Sequence, residues 1–244
     1  IGDGNFDIEV GVDPDYEALE MKVGSYINAE GKVVRDAADA VGIVFKMEAI
    51  GSDVPANYPV ALQSKTIVGY AVAIENVAAG RQVLNNAAMS SLVTTDATVT
   101  NGTQATETLL TGIGEVAFMT TYNSWVNEHP LDGESLSSWY IPTVDQLGEF
   151  MGMLFKIGEV EPTGGQAFRE MPEFAFENGV MFDRDPIESV YYASCTVNGS
   201  NDISGVIINV DKTTKQVLDA KASSLKVTGS SQKALCRPMI TIFK

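Results

Sequence analysis

The densest acidic cluster of the long stretch without regular periodicity, residues 157–188, lies near its end. Asp183, Asp185 and Glu188 flank Arg184 there. Carboxylate oxygens this close in sequence can bind calcium, and a solvated loop is the alternative interpretation. An irregular connection of about 30 residues is uncommon in a compact domain and is often functional. We therefore expect this loop to be the ligand face of the protein.

Four phenylalanines occur in the same loop. Their rings either anchor the loop on the core or form an aromatic binding platform, and the sequence leaves both interpretations open. The predicted ligand-binding residues are Phe174, Phe176, Asp183, Arg184, Asp185 and Glu188.

Patterns typical of catalysis are sparse. His129 is the only histidine, and it precedes Pro130 at a predicted helix exit. A serine hydrolase needs a base beside its nucleophile, and the sequence has no Gly-x-Ser-x-Gly elbow. It also has no His/Cys cluster with zinc spacing and no glycine-rich phosphate loop. We expect the protein not to be an enzyme.

The charge balance is strongly acidic, with 32 Asp and Glu against 16 Lys and Arg and a formal net charge of −16. Such a surface repels phosphate groups, which argues against nucleic acid and anionic membranes as partners. The chain has no apolar run of about 18 residues, the minimum for a membrane-spanning helix. Because Ile1 is not a natural start residue, we expect a removed signal or lipid-attachment segment upstream, and a membrane link only through such an anchor.

Two regions differ in composition. The first 20 residues hold seven acids and neither Lys nor Arg, and we interpret residues 1–22 as a tether or a loosely attached edge segment. The remainder, residues 23–244, has the length of one elaborated domain.

One helix can be placed with its start. Thr143 is a good N-cap and Gln146 follows three residues later, which together form a capping box. An apolar stripe at helical spacing follows in Leu147, Phe150, Met151, Leu154 and Phe155. A helical period also runs over residues 106–127, interrupted by Gly112 and Gly114.

The other segments predict strands and turns. Residues 40–47 and 67–74 are nearly continuous apolar runs, as expected for strands covered on both faces. Residues 81–104 are predicted to be a surface connection that ends in a turn at Asn101-Gly102. Further strands are predicted at 22–27, 190–195, 204–210, 216–218 and 235–243.

These landmarks, in this order, resemble a bacterial surface C-type-lectin-like domain related to the C-terminal domain of collagen-like adhesins. The resemblance covers roughly residues 23–244. It is carried by the opening strands Val23–Tyr26 and Val41–Phe45, the turn Asn101-Gly102, the signature Trp139-Tyr140-Ile141-Pro142-Thr143 with Leu147, and the closing strands with Tyr191–Ser194 and Arg237-Pro238.

The resemblance implies an α+β fold of the C-type-lectin-like kind, with an antiparallel β-rich core, two helices and paired terminal strands. It also implies export to the cell surface or outer membrane of a Gram-negative gut bacterium, commonly as a lipoprotein or a fimbria-associated protein. The calcium-binding triplet of lectins with this fold is absent, since Glu161-Pro162-Thr163 is the nearest approach. No cofactor is therefore expected, and calcium has no lectin motif to support it.

The two cysteines, Cys195 and Cys236, lie in closing strands that the family pairs near one another. A disulfide would stabilise by roughly 4 kcal/mol in the chain-entropy model, and two buried free thiols are the alternative. Cys236-Arg237 also resembles the closing strand of formylglycine-generating enzymes, which makes such an oxidase a remote alternative function.

Two functional hypotheses remain. The first is a surface-exposed binding or adhesion module for a glycan or an extracellular protein. The second is a structural or fimbria-associated subunit that assembles through edge strands, for which the acidic N-terminal segment is the candidate.

Overall fold

The computed structural model describes residues 19–77, 101–112, 117–159, 180–184, 187–197, 203–211, 213–214, 217–225 and 235–244. The strands are β1 (Tyr26–Ile27), β2 (Val33–Val34), β3 (Gly42–Lys46), β4 (Ile67–Ala73), β5 (Val180–Arg184), β6 (Ile187–Val197), β7 (Ile203–Asp211), β8 (Val217–Leu225) and β9 (Met239–Phe243). The helices are α1 (Val60–Gln63), α2 (Gly102–Gly112), α3 (Ala117–Glu128) and α4 (Val144–Glu159), with short 3-10 turns at Ala37–Asp39 and Pro55–Asn57. The predicted α+β class is confirmed.

The centre of the first sheet is built from the two apolar runs. Its five strands are antiparallel, in the order β2-β1-β3-β4-β9. Because side chains alternate along a strand, β4 sends Tyr70 and Val72 to one face and Ala71 and Ala73 to the other, and all four are fully buried. The prediction of strands covered on both faces is confirmed.

Different elements cover the two faces of this sheet. Ala71 and Ala73 belong to a cluster that includes Tyr122 and Trp125 of α3. Tyr70 and Val72 belong to a second cluster with Leu147 and Phe150 of α4 and with side chains of the second sheet. Strand β6 of the second sheet contributes to both clusters, with Tyr191 and Ala193 in the first and Val190 and Tyr192 in the second.

The second sheet is an antiparallel meander in the order β5-β6-β7-β8. The predicted hairpin between β7 and β8 is confirmed, and Asp211 Oδ1 shapes its turn by accepting from the backbone N–H groups of Thr213 (2.8 Å) and Thr214 (2.7 Å). The second strand is longer than expected, because β8 continues to Leu225 instead of ending at Leu218.

The capping box of α4 forms as the sequence indicates. The Gln146 backbone N–H donates to Thr143 Oγ1 (3.3 Å), and the Thr143 backbone N–H donates to Gln146 Oε1 (3.0 Å). Both side chains are buried, and so are Leu147, Phe150 and Met151 of the predicted stripe. The start and the packed face of α4 are therefore confirmed.

The prediction for Asn101-Gly102 is wrong. These residues begin α2 instead of ending a surface loop, because Asn101 Oδ1 accepts the Thr103 backbone N–H over 2.7 Å in the manner of an N-cap. Asn101 is 1% exposed, so the segment is inserted in the core. The helical period over residues 106–127 divides into α2, which ends at Gly112, and α3.

Two details of the expected architecture also differ. The described residues hold four α-helices where two were expected. The last strand, β9, pairs with β4 and not with the opening strand β1, although all three share one sheet. Residues 135–140 cover the other side of β9 through bridges from Leu136 to Ile242 and from Tyr140 to Met239.

Candidate functional site

The predicted ligand loop is shorter than the sequence indicates. Helix α4 continues to Glu159, and residues 180–184 form strand β5, so the acidic cluster lies at a hairpin. Asp183 and Arg184 are in β5, Glu188 is in β6, and Asp183 pairs directly with Glu188. Asp185, Phe174 and Phe176 lie outside the described residues. The prediction of an irregular loop reaching residue 188 is wrong, because pairing with β6 organises its last residues.

A cleft of about 870 Å³ opens between α4, the end of β3 and β8. Its floor is apolar and consists of Phe45, Ile50, Met151 and Val206, each of them buried. The volume and the apolar floor are typical of ligand-binding sites in proteins.

The walls of the cleft are made of unusually small residues. Gly148 and Gly152 line it from α4, and Ala220 and Ala222 line it from β8. A Cβ atom added to either glycine would meet no atom within 4 Å. Glycine inside a helix costs about 1 kcal/mol relative to alanine, so packing among the described residues gives no reason for this cost. The missing side chains widen the cleft.

Charged groups stand at the mouth of the cleft. Lys46 Nζ lies 3.1 Å from Glu149 Oε2 and 3.2 Å from Glu48 Oε1, and the hydrogen bond to Glu149 is the main cause that raises the pKa of Lys46. Asp145 lines the cleft from α4, and Lys221 lines it from β8. The mouth thus presents both signs of charge around an apolar interior.

A buried carboxylate lies at the centre of a polar network beside the cleft. Asp53 is 3% exposed, and it accepts hydrogen bonds from Tyr58 Oη (2.5 Å), Tyr70 Oη (2.7 Å) and Asn57 Nδ2 (3.3 Å). Burial raises the pKa of Asp53, and the three hydrogen bonds oppose that shift. Tyr70 Oη in turn accepts the backbone N–H of Ile50 over 3.2 Å, which ties the floor of the cleft to the network.

The same network continues to the start of α4. Gln146 Oε1 accepts two backbone N–H groups, from Gly102 (3.1 Å) and Thr143 (3.0 Å), so its Nε2 atom is the donor to Tyr140 Oη (3.0 Å). Thr241 Oγ1 lies 3.1 Å from Tyr140 Oη and 2.8 Å from Tyr58 Oη. Since each hydroxyl has one proton, the chain runs in one direction, from the amide through three hydroxyls to the carboxylate of Asp53.

This chain connects the two sides of the cleft. At the Asp53 end of the chain, the network binds the backbone N–H of Ile50. At the other end, Gln146 belongs to the capping box that begins α4, and Thr143 of this box directly precedes Val144 and Asp145 of the cleft wall. The chain therefore positions the loop and the helix relative to one another. None of its members was predicted as a site residue, although Thr143 and Gln146 were recognised as a cap.

His129 is part of an aromatic cluster at the end of α3. Its ring stacks on Trp125 with centroids 4.2 Å apart, and its Nε2 atom lies 2.7 Å from Glu75 Oε1. Nδ1 donates to the Trp125 carbonyl oxygen over 2.7 Å, and the Trp139 indole N–H donates to the His129 carbonyl oxygen over 2.8 Å. Its partners in the described part of the chain include no nucleophile, and the contacts fasten the exit of α3.

The disulfide between Cys195 and Cys236 is absent, and both residues are buried free thiols. Tyr192 pairs with Leu235 in parallel, which places Cys195 two residues beyond the position opposite Cys236. The two cysteines therefore do not lie directly opposite one another in this pairing. Burial raises the pKa of Cys195 to about 12 and that of Cys236 still further.

Arg237 follows as a fully buried cation. Its Nη1 atom donates to the carbonyl oxygens of Ala73 (3.1 Å) and Ile74 (2.5 Å) at the end of β4. The Arg237-Pro238 segment thus joins β9 to β4 through side-chain as well as main-chain bonds.

Among the described residues, no group of three or more His, Cys, Asp or Glu side chains is arranged to bind a metal ion. No helix in the same part of the chain is long and apolar enough to cross a bilayer. Comparisons with protein-family models, with curated proteins and with solved structures each find no match to this chain.

The cleft was missed at the sequence level because its walls come from three segments far apart in the chain. One signal was available. Gly148 and Gly152 stand four residues apart in a strongly predicted helix, on the side away from its buried stripe. Two glycines four residues apart leave one face of the helix without side chains, which indicates space for another group on that face.

Proposed function

We propose that this protein is a non-enzymatic binding module that holds an apolar group of a protein partner in the cleft between α4 and β8. The observation that carries the proposal is the open, small-residue wall over a buried apolar floor. Gly148 and Gly152 lower the intrinsic stability of α4 and leave empty space beside them. A side chain of the partner can occupy this space.

The lining favours a protein partner over a glycan. A sugar carries hydroxyl groups, and their burial against Phe45, Ile50 and Met151 without hydrogen-bond partners costs free energy. An aliphatic or aromatic side chain carries no such cost and gains about 25 cal/mol for each Å² of apolar surface removed from water. The charges of Lys46 and Glu149 at the mouth then orient the polar atoms around it.

The proposal includes a C-type-lectin-like fold and an exported, surface-located adhesion role. The support for both is the likeness of the segment Trp139–Thr143, followed by the capped helix α4, to that family. The free thiols weigh against the oxidase alternative, because the thiolate is the reactive form and burial raises the pKa of Cys195 to about 12.

The test is binding of the purified chain to immobilised fibronectin, collagen, laminin and mucin and to a glycan array, each with calcium and with chelator. Gly148→Leu fills the cleft from α4. Ser124→Leu is the matched control, because it adds the same side chain to an exposed position of α3.

We expect binding to at least one of the proteins without calcium, a loss of at least tenfold in affinity for Gly148→Leu, and unchanged affinity for Ser124→Leu. Binding confined to glycans, or protein binding that Gly148→Leu leaves intact, would overturn the proposal. Circular dichroism spectra of both variants show whether the fold is retained.

A further inference from the structure

Strand β8 is the edge of the second sheet in the described part of the chain, with β7 on one side and no strand on the other. It is nine residues long and pairs with β7 from Val217 to Leu225. Leu218 is 48% exposed, and Asp219, Lys221 and Ala222 are exposed as well. A long edge strand of this kind offers unpaired backbone donors and acceptors to another strand.

The charges on this edge are self-complementary. Asp219 and Lys221 are two residues apart, so they lie on the same face of β8. When two copies of β8 pair antiparallel about a two-fold axis at Ala220, Asp219 of each copy lies opposite the partner subunit's Lys221. Opposite charges directly across a strand pair stabilise it, and this register forms the pair twice.

The neighbouring two-fold registers lack this match. A two-fold axis at Lys221 places that lysine opposite the partner subunit's Lys221, and an axis at Asp219 places two carboxylates together. Like charges in directly opposed positions are destabilising. Leu218 lies where β8 shifts register against β7, so the match at the axis depends on Asp219 and Lys221.

We propose that two copies of this chain associate through β8, in antiparallel register about Ala220, and join their four-stranded sheets into one sheet of eight strands. The interface is isologous, as in most homodimers. The net charge of −16 on each copy opposes the association at low ionic strength. Salt screens that long-range repulsion, while the backbone bonds of the strand pair persist.

The first test is the molar mass of the full chain, measured by light scattering over a wide concentration range at low and moderate salt. We expect the mass to rise from 26.1 kDa towards twice that value, with tighter association at moderate salt. A monomer at all concentrations and salt conditions overturns the proposal.

Charge variants test the register. Asp219→Lys should weaken association at least tenfold, although it makes the net charge less negative. The double exchange Asp219→Lys with Lys221→Asp should restore association. Asp39→Lys, an exposed position distant in sequence from β8, makes the same change in net charge and should not weaken association. Failure of the double exchange to restore a lost dimer contradicts the register.

Cross-linking tests the axis itself. A residue on a two-fold axis meets its own copy, so Ala220→Cys should form a disulfide between subunits under mild oxidation. Ala222→Cys lies two residues away from the axis and should not form this disulfide. Equal cross-linking of the two variants, or cross-linking of Ala222→Cys alone, excludes the axis at Ala220. Ala220, Lys221 and Ala222 also line the cleft, but both readouts are measured on the chain without any ligand, so this proposal and the proposed function can fail separately.

Discussion

The Tyr58 hydroxyl donates to the Asp53 carboxylate over 2.5 Å inside the core. A buried carboxylate costs free energy unless hydrogen bonds compensate its charge, and here two tyrosines and an asparagine offset part of that cost. The same carboxylate ends the chain that starts at Gln146. The loop before α1 and the start of α4 thereby depend on one side chain.

Asp53→Asn should destabilise the protein by about 2 kcal/mol, because hydrogen bonds to a charged group are worth about 1.5–3 kcal/mol. The amide nitrogen that replaces Oδ1 also cannot accept from Asn57 Nδ2. Urea unfolding followed by tryptophan fluorescence measures the change. Asp39→Asn, at an exposed position, should stay within about 0.5 kcal/mol of the parent protein. A loss below that value for Asp53→Asn would show that the network is not stabilising.

The cost of Asp53→Asn should also depend on pH. Burial raises the pKa of Asp53 above 3.8 in the folded state, so the folded protein holds this proton more tightly than the unfolded chain. Stability from this group is fully present below pH 3.8 and is lost as pH rises through the raised folded pKa. The difference in unfolding free energy between parent and Asp53→Asn should therefore be larger at about pH 4 than at about pH 7. An equal or smaller difference at the lower pH contradicts the raised pKa.

Two helical glycines should respond oppositely to alanine. Gly148→Ala should stabilise by about 0.5–1 kcal/mol, since the new methyl group meets no atom within 4 Å and helix propensity improves. Gly102→Ala should destabilise by about 1–3 kcal/mol, since its Cβ would collide with the Ile141 carbonyl oxygen and the Tyr140 ring. Thermal unfolding of the two variants distinguishes the effect of steric contact from the effect of helix propensity. A Gly102→Ala variant that is more stable than the parent protein would contradict the close contact of α2 with residues 140–141.

The thiols should be free but slow to react. In denaturant without reductant, a thiol reagent should titrate both Cys195 and Cys236, because neither forms a disulfide. In the native protein the reaction should be slower by at least a hundredfold, since both side chains are about 1% exposed and burial holds the pKa of Cys195 at about 12. A titration of fewer than two thiols in denaturant would indicate that Cys195 and Cys236 form a disulfide.

The sequence predicted those elements that are determined by residues close together in the chain. Thr143 and Gln146 cap α4 through side chains three residues apart, and the run at residues 67–74 is apolar enough to be buried whatever surrounds it. The turn at Asp211 likewise follows from one carboxylate and the two residues after it.

Features that depend on distant partners were not predictable. Asn101-Gly102 has the composition of a turn, but Gln146 accepts the Gly102 N–H and the core encloses Asn101. Strand β5 lacks a strong period and is defined by β6. Two cysteines in closing strands suggest a disulfide, but both are free thiols and do not lie directly opposite one another. The cleft needs β3, α4 and β8 together, and no spacing within the sequence brings them into one place.

The pairing of β4 with β9 has a consequence for the order in which the chain folds. Val72 pairs with Met239 and Ile67 pairs with Phe243, so the central sheet joins an early segment to the last residues of the chain. Contacts this distant in sequence slow folding, because the loop between them must close before they form. During synthesis one side of β4 stays unpaired until residues 239–243 have left the ribosome. A chain that stops short of Met239 lacks the strand that completes the central sheet.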